Sequence, residues 1–265
     1  MAAGPPDGKA VGQAAPRLAL WAGLSPAVHL RRPDRELPFP FGAPGTTLVA
    51  RGRQALWLGV AALGLRPGDE VLAPAYCCGA EVEALARRGL ACRFHDATPT
   101  LAPDPAELDA LCGPRTRALL LIHYLGFPQD AAAWRAWCDD RDLLLIEDCA
   151  HAWPASAGGR PLGSFGDLAI FSLHKPIPLA AGGALHVRAK AAAPPEREDG
   201  VAAGAVLRRH AVWAAGRSRA AGALVEAARR RRPYAGDAGL GDPDAPVPAS
   251  TRYLLARLAP EAAAA

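Results

Sequence analysis

Residues 143–148 read Leu143-Leu144-Leu145-Ile146-Glu147-Asp148, four apolar positions in a row closed by two carboxylates. The run is too short for a buried helix and follows a helical pattern over Ala131–Asp139. Apolar on every position, it reads as a strand buried on both faces. Working outward, the same alternation recurs. Upstream, Arg117–His123 is a second such strand, after a helix that opens at the Asp104-Pro105 cap and runs to about Leu111. Ala91–Phe94 and Val71–Ala73 are further strands, with helix Glu81–Arg88 between them and the turn Arg66-Pro67-Gly68-Asp69 in front. Ala55, Leu56, Gly59, Val60 and Leu63 recur at helical spacing after Gly52, and Gly64 is the stop. Downstream, Asp167–Ser172 and Ala184–Val187 complete the set. Strands alternating with helices predict an α/β fold, a mainly parallel doubly wound sheet over residues 46–190 with helices on both faces.

The flanks read differently. Residues 1–45 form an irregular segment rich in Pro, Gly and Ala. After Arg188 comes a polar break over Lys190–Gly200, then one Ala/Arg-rich helix over Leu207–Arg232, a linker over Tyr234–Ser250 and a short helical piece at Tyr253–Leu258. This basic tail, 191–265, has too few apolar residues for a core of its own and reads as an incomplete second domain. The whole chain, 265 residues and 51% hydrophobic, is ample for one core. No apolar stretch nears the ~20 residues a membrane span needs, and no basic-then-apolar leader opens the chain, so a soluble cytoplasmic protein is expected, with no membrane partner. Six scattered cysteines lack paired spacing, which argues for reduced thiols and against a zinc ribbon or a disulfide framework; no metal site is expected. The net charge of +4 is concentrated in 207–232, where eight Arg face one Glu. Without interleaved aromatics the Arg229–Arg232 run reads as a solvated helix end, and no nucleic acid is expected.

Of 30 basic residues only Lys9, Lys175 and Lys190 are lysine. Arginine serves on a surface, but it cannot lose its proton to act as a nucleophilic amine. Lys175 alone stands inside the patterned region.

Ligands of open α/β sheets bind beyond the carboxyl ends of the strands. There this sequence gathers His123, then Glu147 and Asp148, then Ser172 with His174 and Lys175 just past it. The set suits pyridoxal phosphate, which needs an amine for a Schiff base, a carboxylate at its pyridine nitrogen and donors for its phosphate, the last often at a helix start such as Gly52. Each residue also has a structural reading. Asp148 can cap a helix or pair with a cation, Ser172 can satisfy backbone, His123 can pack in the core and Lys175 can lie on the surface.

Four ordered motifs resemble the DegT/DnrJ/StrS sugar aminotransferases. They are Gly-Asp-Glu-Val-Leu-Ala-Pro (68–74), Glu-Asp-Cys-Ala-His-Ala (147–152), Gly-Ser-Phe-Gly-Asp-Leu-Ala-Ile-Phe-Ser-Leu-His-Lys (163–175) and Gly-Gly-Ala-Leu (182–185). The resemblance implies the large domain of a fold-type I enzyme using pyridoxal 5'-phosphate, with most of the small domain lacking. It implies Lys175 as the Schiff-base lysine and proton shuttle, Asp148 at the pyridine nitrogen and Ser172 on the phosphate. Gly52 and Arg53 fall where the family has Gly-Thr at a phosphate-binding helix start, and His151 falls where it has Gln near the phenolic oxygen. The ring-stacking aromatic aligns with Cys78, with Tyr76 near it as the candidate. The implied function is amino transfer from an amino donor to a keto-sugar, nucleotide-linked, by a homodimer in polysaccharide or secondary-metabolite biosynthesis. The alternative is a shortened, non-catalytic relative that binds cofactor or assembles with others.

Overall fold

The computed structural model describes residues 23–34, 36–188, 192–230 and 239–264; Lys9, Lys190, Arg231 and Arg232 lie outside the described residues. Strand β1 (Thr46–Val49) leads into α1 (Gly52–Ala62), β2 (Glu70–Pro74), α2 (Gly79–Ala86), β3 (Ala91–His95) and α3 (Pro105–Leu111). Then come β4 (Thr116–Ile122), α4 (Ala131–Asp139), β5 (Leu144–Asp148), the short hairpin β6 (Ser156–Ala157) and β7 (Arg160–Pro161), β8 (Leu168–Ser172) and β9 (Gly183–Val187). Three helices follow, α5 (Ala203–Gly216), α6 (Arg219–Arg230) and α7 (Ala249–Ala264). The expected punctuation operates locally. Asp104 accepts the Ala106 N–H at 2.9 Å to open α3, and Gly64, at φ +77°, ends α1 while the Leu65 N–H returns to the Val60 carbonyl.

The seven-stranded sheet has the order β1-β9-β8-β5-β4-β2-β3. Strands β2, β3, β4, β5 and β8 are parallel, as the alternating pattern predicts. The exception is one edge, where β9 runs antiparallel to β8 and β1 antiparallel to β9. The cause is length: residues 173–182 hold no helix, and a parallel return needs a crossover of about a dozen residues or more. Strand β1 carries no long apolar run, and no strand is expected there from sequence. This edge matters for the site. Because β9 reverses and β1 reverses again, the start of α1, the end of β8 and the start of β9 meet at one rim.

Each sheet face has its own core. Ala55, Leu56 and Val60 of α1 and Leu85 of α2 pack on Val71, Ile146 and Ile170. On the other face Trp134 and Trp137 of α4 and Leu108 of α3 pack on Leu145 and Phe171. Leu24, Val28, Val247, Leu254, Leu255 and Ala259 are buried in this second core as well. It therefore runs across both divisions expected from sequence, at residues 45/46 and 190/191. Full burial of such side chains contributes roughly 1.5–3 kcal/mol each, so the flanks join the fold by the ordinary hydrophobic effect.

The tail also differs in detail. The helix expected over Leu207–Arg232 is two helices, because Ser218 caps a new one: its Oγ accepts the Ala221 N–H at 3.4 Å and its carbonyl the Gly222 N–H at 2.8 Å. The piece expected at Tyr253–Leu258 is the middle of α7. That helix continues through Pro260, whose missing N–H leaves the Ala256 carbonyl available, and the Asp34 N–H fills it at 2.8 Å.

Along β5, Leu145, Glu147 and Cys149 face the second core, while Ile146 faces the first and Asp148 follows it on that side. Glu147 is fully buried. Its Oε1 accepts the N–H groups of Phe165 (2.8 Å) and Gly166 (2.6 Å), and its Oε2 that of Gly163 (3.0 Å). His123 Nδ1 accepts the Gln129 N–H at 3.1 Å, so the ring proton sits on Nε2 and is donated to Glu147 Oε2 at 3.2 Å. Gly166 belongs here because a Cβ would lie 2.8 Å from the Leu145 and Leu168 carbonyl oxygens. His123 and Glu147, grouped with the site rim on sequence grounds, are thus part of the scaffold. Buried Cys149 completes a His/Glu/Cys group whose atoms lie within 4.8 Å of one another, but the imidazole and carboxylate are already engaged.

Replacing Glu147 with Ala leaves three backbone N–H groups and an imidazole N–H without their acceptor. The E147A chain should lose about 3 kcal/mol or more of unfolding free energy, read as a lowered urea midpoint at unchanged slope.

Candidate functional site

At the rim where β1, β5, β8 and β9 meet, a cavity of about 280 Å³ opens. Its walls come from the start of α1, the start of α2, Ala150 past β5, and the segment from Ser172 to Lys175.

Arg51 precedes α1 in extended conformation and no side chain caps the helix, which therefore presents its positive pole to the cavity. Glycine permits the close fit. A Cβ on Gly183 would lie 2.5 Å from the Arg51 carbonyl carbon and 2.6 Å from the Gly52 nitrogen, and one on Gly52 would lie 3.4 Å from the Ser172 Cβ. Ser172 is buried at the end of β8, with Oγ 3.3 Å from His174 Nδ1. Lys175 follows, solvent-exposed at the cavity wall. Its charge is felt by Asp148, Cys78, His151 and His174, which locates the ammonium among them.

Asp148 is buried, its Oδ1 accepting the Ala150 N–H at 2.8 Å. Burial first, and the Glu81 carboxylate second, raise its carboxyl well above the usual range; the Ala150 N–H and Lys175 act in the opposite sense. His174 is held below the ordinary histidine value by burial and then by Lys175, and His151 in the same way. Both imidazoles are thereby favoured in the neutral form.

Of the residues singled out from sequence, Lys175, Ser172, Gly52 and Arg53 line the cavity and Asp148 lies two residues before its wall at Ala150. The Arg53 guanidinium turns to the tail, donating to the Gly239 carbonyl at 2.6 Å. His151 is exposed and outside the lining. Tyr76 is not in the cavity: it is 62% exposed, with its ring 5.8 Å from that of Tyr124, whose hydroxyl donates to the Tyr76 carbonyl at 2.6 Å. The wall position belongs to Cys78, because the two-residue step from 76 to 78 carries the chain from the strand end into α2. Sequence reading missed Glu81, which it treated only as a helix start. The signal available was its place in the first turn after a strand end, where the other site residues also stand.

The tail braces this rim. Buried Arg209 of α5 donates to the Leu179 carbonyl at 2.7 Å and Thr251 of α7 to the Ala181 carbonyl at 3.1 Å, both in the segment that follows Lys175. Gln54 of α1 donates to the Asp242 carbonyl at 2.5 Å.

A family model described as the DegT/DnrJ/EryC1/StrS aminotransferase family matches residues 41–214. The chain is 37% identical over 155 residues to a dTDP-4-dehydro-2,3,6-trideoxy-D-glucose 4-aminotransferase of Saccharopolyspora spinosa, covering 57% of this chain and 40% of that protein. It is 33% identical over 140 residues to a GDP-perosamine synthase of Vibrio cholerae, covering 52% and 38%. Among solved structures, the aminotransferase TlmJ of Streptoalloteichus hindustanus superposes with a TM-score of 0.51 at 34% identity, covering 54% of this chain and 40% of that one. A 3-amino-5-hydroxybenzoic acid synthase gives 0.52 at 29% identity, covering 56% and 39%. The chain thus spans about 40% of the length of the curated relatives it matches.

Because the folded chain raises the Asp148 carboxyl, it keeps a proton that the unfolded chain has released. Stability from this group is therefore present at acid pH and is lost as pH rises above the ordinary carboxylate range, by up to about 1.4 kcal/mol per pH unit. The lowered histidines act oppositely, costing stability as pH falls through their ordinary range. The difference between wild type and Asp148→Asn in cofactor-free unfolding experiments isolates the carboxyl: the variant should lack the loss that falls between the ordinary carboxylate range and about pH 7.

Proposed function

The chain belongs to the DegT/DnrJ/EryC1/StrS aminotransferase family, and from that premise we propose that it binds pyridoxal 5'-phosphate at Lys175 and transfers an amino group to a keto-sugar. Enzymes of this family are pyridoxal-phosphate enzymes. The observation that carries the reading is the convergence of an amine, a buried hydroxyl and an uncapped helix start on one cavity, with a buried carboxylate just behind its wall at Ala150.

The donor set fits the cofactor. The positive end of α1 and the Ser172 hydroxyl suit its phosphate, the apolar walls at Leu56 and Ile170 suit a ring, and the Asp148 carboxylate suits a pyridine nitrogen. When bound, the cofactor supplies an electron sink for the carbon that gains or loses the amino group. Asp148 would hold the ring nitrogen in its protonated form. Lys175 would offer the amine that holds the cofactor and would then move a proton at the substrate carbon. His151, held neutral, would be a hydrogen-bond donor for the phenolic oxygen from outside the cavity wall. The substrate class follows the relatives, of which two act by their names on dTDP- and GDP-linked sugars. A homodimer is part of the proposal: Tyr76, Leu125 and Phe127 expose 62%, 77% and 73% of their surface on the same rim, an apolar patch that suits a second copy.

A second reading, a cofactor-binding or assembly subunit that does not turn over, is favoured by two features of the site: the Arg53 guanidinium turns to the Gly239 carbonyl and Tyr76 lies outside the cavity lining.

Borohydride reduction of the chain loaded with pyridoxal phosphate should leave a cofactor adduct on the Lys175 peptide, and Lys175→Arg should leave none. A folded wild type without adduct refutes the proposal. An amino donor should then convert the cofactor spectrum, and sedimentation should give a dimer; an adduct that no donor converts selects the subunit reading.

A further inference from the structure

Two imidazoles and a phenol meet where the segment before the sheet crosses the tail. His29 sits in the short 3-10 turn Pro26–Leu30, His210 on α5 and Tyr253 on α7. The Nε2 atoms of His29 and His210 face each other at 3.1 Å. Each ring is held from behind by its other nitrogen. His210 Nδ1 donates to the Leu24 carbonyl at 2.8 Å, and His29 Nδ1 lies 3.3 Å from the Tyr253 hydroxyl. Tyr253 is fixed in turn: the His29 ring stacks on it with centroids 5.7 Å apart, and the Arg257 guanidinium lies 3.6 Å over it. His29 is exposed and His210 half-buried, so an ion can reach the pair from solvent.

The tautomers follow from these bonds. His210 carries its proton on Nδ1, which leaves a lone pair on Nε2. His29 therefore donates from Nε2, and its Nδ1 accepts the Tyr253 hydroxyl proton. One proton thus lies between two nitrogens that are both ordinary metal ligands. An imidazole that binds a metal through one nitrogen is oriented through the other, and both rings already have that outer partner. The separation fits as well. Zinc–nitrogen bonds of about 2.0–2.1 Å to nitrogens 3.1 Å apart enclose an angle of about 100°, between square and tetrahedral.

We propose that His29 and His210 form a binding site for a divalent transition ion such as Zn2+, which replaces the proton between their Nε2 atoms and keeps water in its other positions. On binding, His29 loses its Nε2 proton to solvent and gains one on Nδ1, so no net proton is released and nothing is oxidised or reduced. The Tyr253 hydroxyl turns from donor to acceptor. The ion joins the segment before the sheet to α5, across 181 positions of sequence, so no ligand spacing signals it. The buried His123, Glu147 and Cys149 group offers no such opening, because its imidazole and carboxylate are taken. Burial raises the thiols of all six cysteines, which makes them poor competitors for the ion.

Calorimetric titration of the full chain with Zn2+ should show a single ion bound, and Zn2+ should raise the unfolding midpoint. His29→Phe keeps a ring against Tyr253 but removes both nitrogens, and it should lose the binding and the shift; His210→Ala should do the same. Tyr253→Phe removes only the outer partner and should weaken Zn2+ about ten- to a hundredfold. In wild type the ring resonances of His29 and His210 should move with Zn2+. A wild type that binds no Zn2+ overturns the site. So does undiminished binding in H29F or Y253F, the result that an ion held by thiols or by other histidines gives. Should H29F or H210A fail to fold, the wild-type resonances decide, and shifts confined to other histidines overturn the proposal.

Discussion

The fold depends on one buried carboxylate. Glu147 gathers the N–H groups of Gly163, Phe165 and Gly166 and the imidazole of His123, and so fixes where the chain enters β8. Everything at the rim downstream of that entry inherits the placement: Ser172 five residues along one strand, then Lys175. The next residue on β5 faces the other way. Because a strand alternates sides with every step, Glu147 serves the scaffold and Asp148 the cavity, and the two acidic neighbours never compete for the same partners. Saturation of one carboxylate and exposure of the other to a second acid, Glu81, explains why adjacent and chemically similar residues have opposite roles.

The rim is held from both sides of the sheet's sequence. Arg209, Thr251 and the carbonyls of Gly239 and Asp242 tie the α1 start and the segment after Lys175 to the tail. Among the described residues of the tail, Leu254 and Leu255 are buried in the core of the sheet, and α5 and α7 end polar side chains on the loop that carries the lysine.

Most of the parallel strands were legible because they are short apolar runs bounded by turn residues, and α3 because Asp104 caps it. Local signals of that kind survive without knowledge of the neighbours. β1 was not legible, since Thr46-Thr47-Leu48-Val49 gains its strand character from pairing with β9. At the site, Lys175, Ser172, Asp148 and Gly52 could be found from the rule that ligands meet strand ends together with the scarcity of lysine. Tyr76 could not be placed, because the turn of the chain into α2 decides whether residue 76 or 78 faces inward. Glu81 escaped notice for a different reason: what sets it apart is the acid facing it, and that acid is 67 residues away in sequence.

Pro260 carries a consequence of another kind. A proline inside a helix normally strands a carbonyl one turn back, and here that carbonyl receives the N–H of Asp34. Arg31 and Glu261 pair beside it, and His29 stacks on Tyr253. The helix defect is therefore the socket into which the segment before the sheet plugs. The two flanks form a single clasp: a residue with an N–H at position 260 would compete for the carbonyl that now serves Asp34, more than two hundred positions earlier. Variation in either flank is then constrained by the other, although no motif joins them.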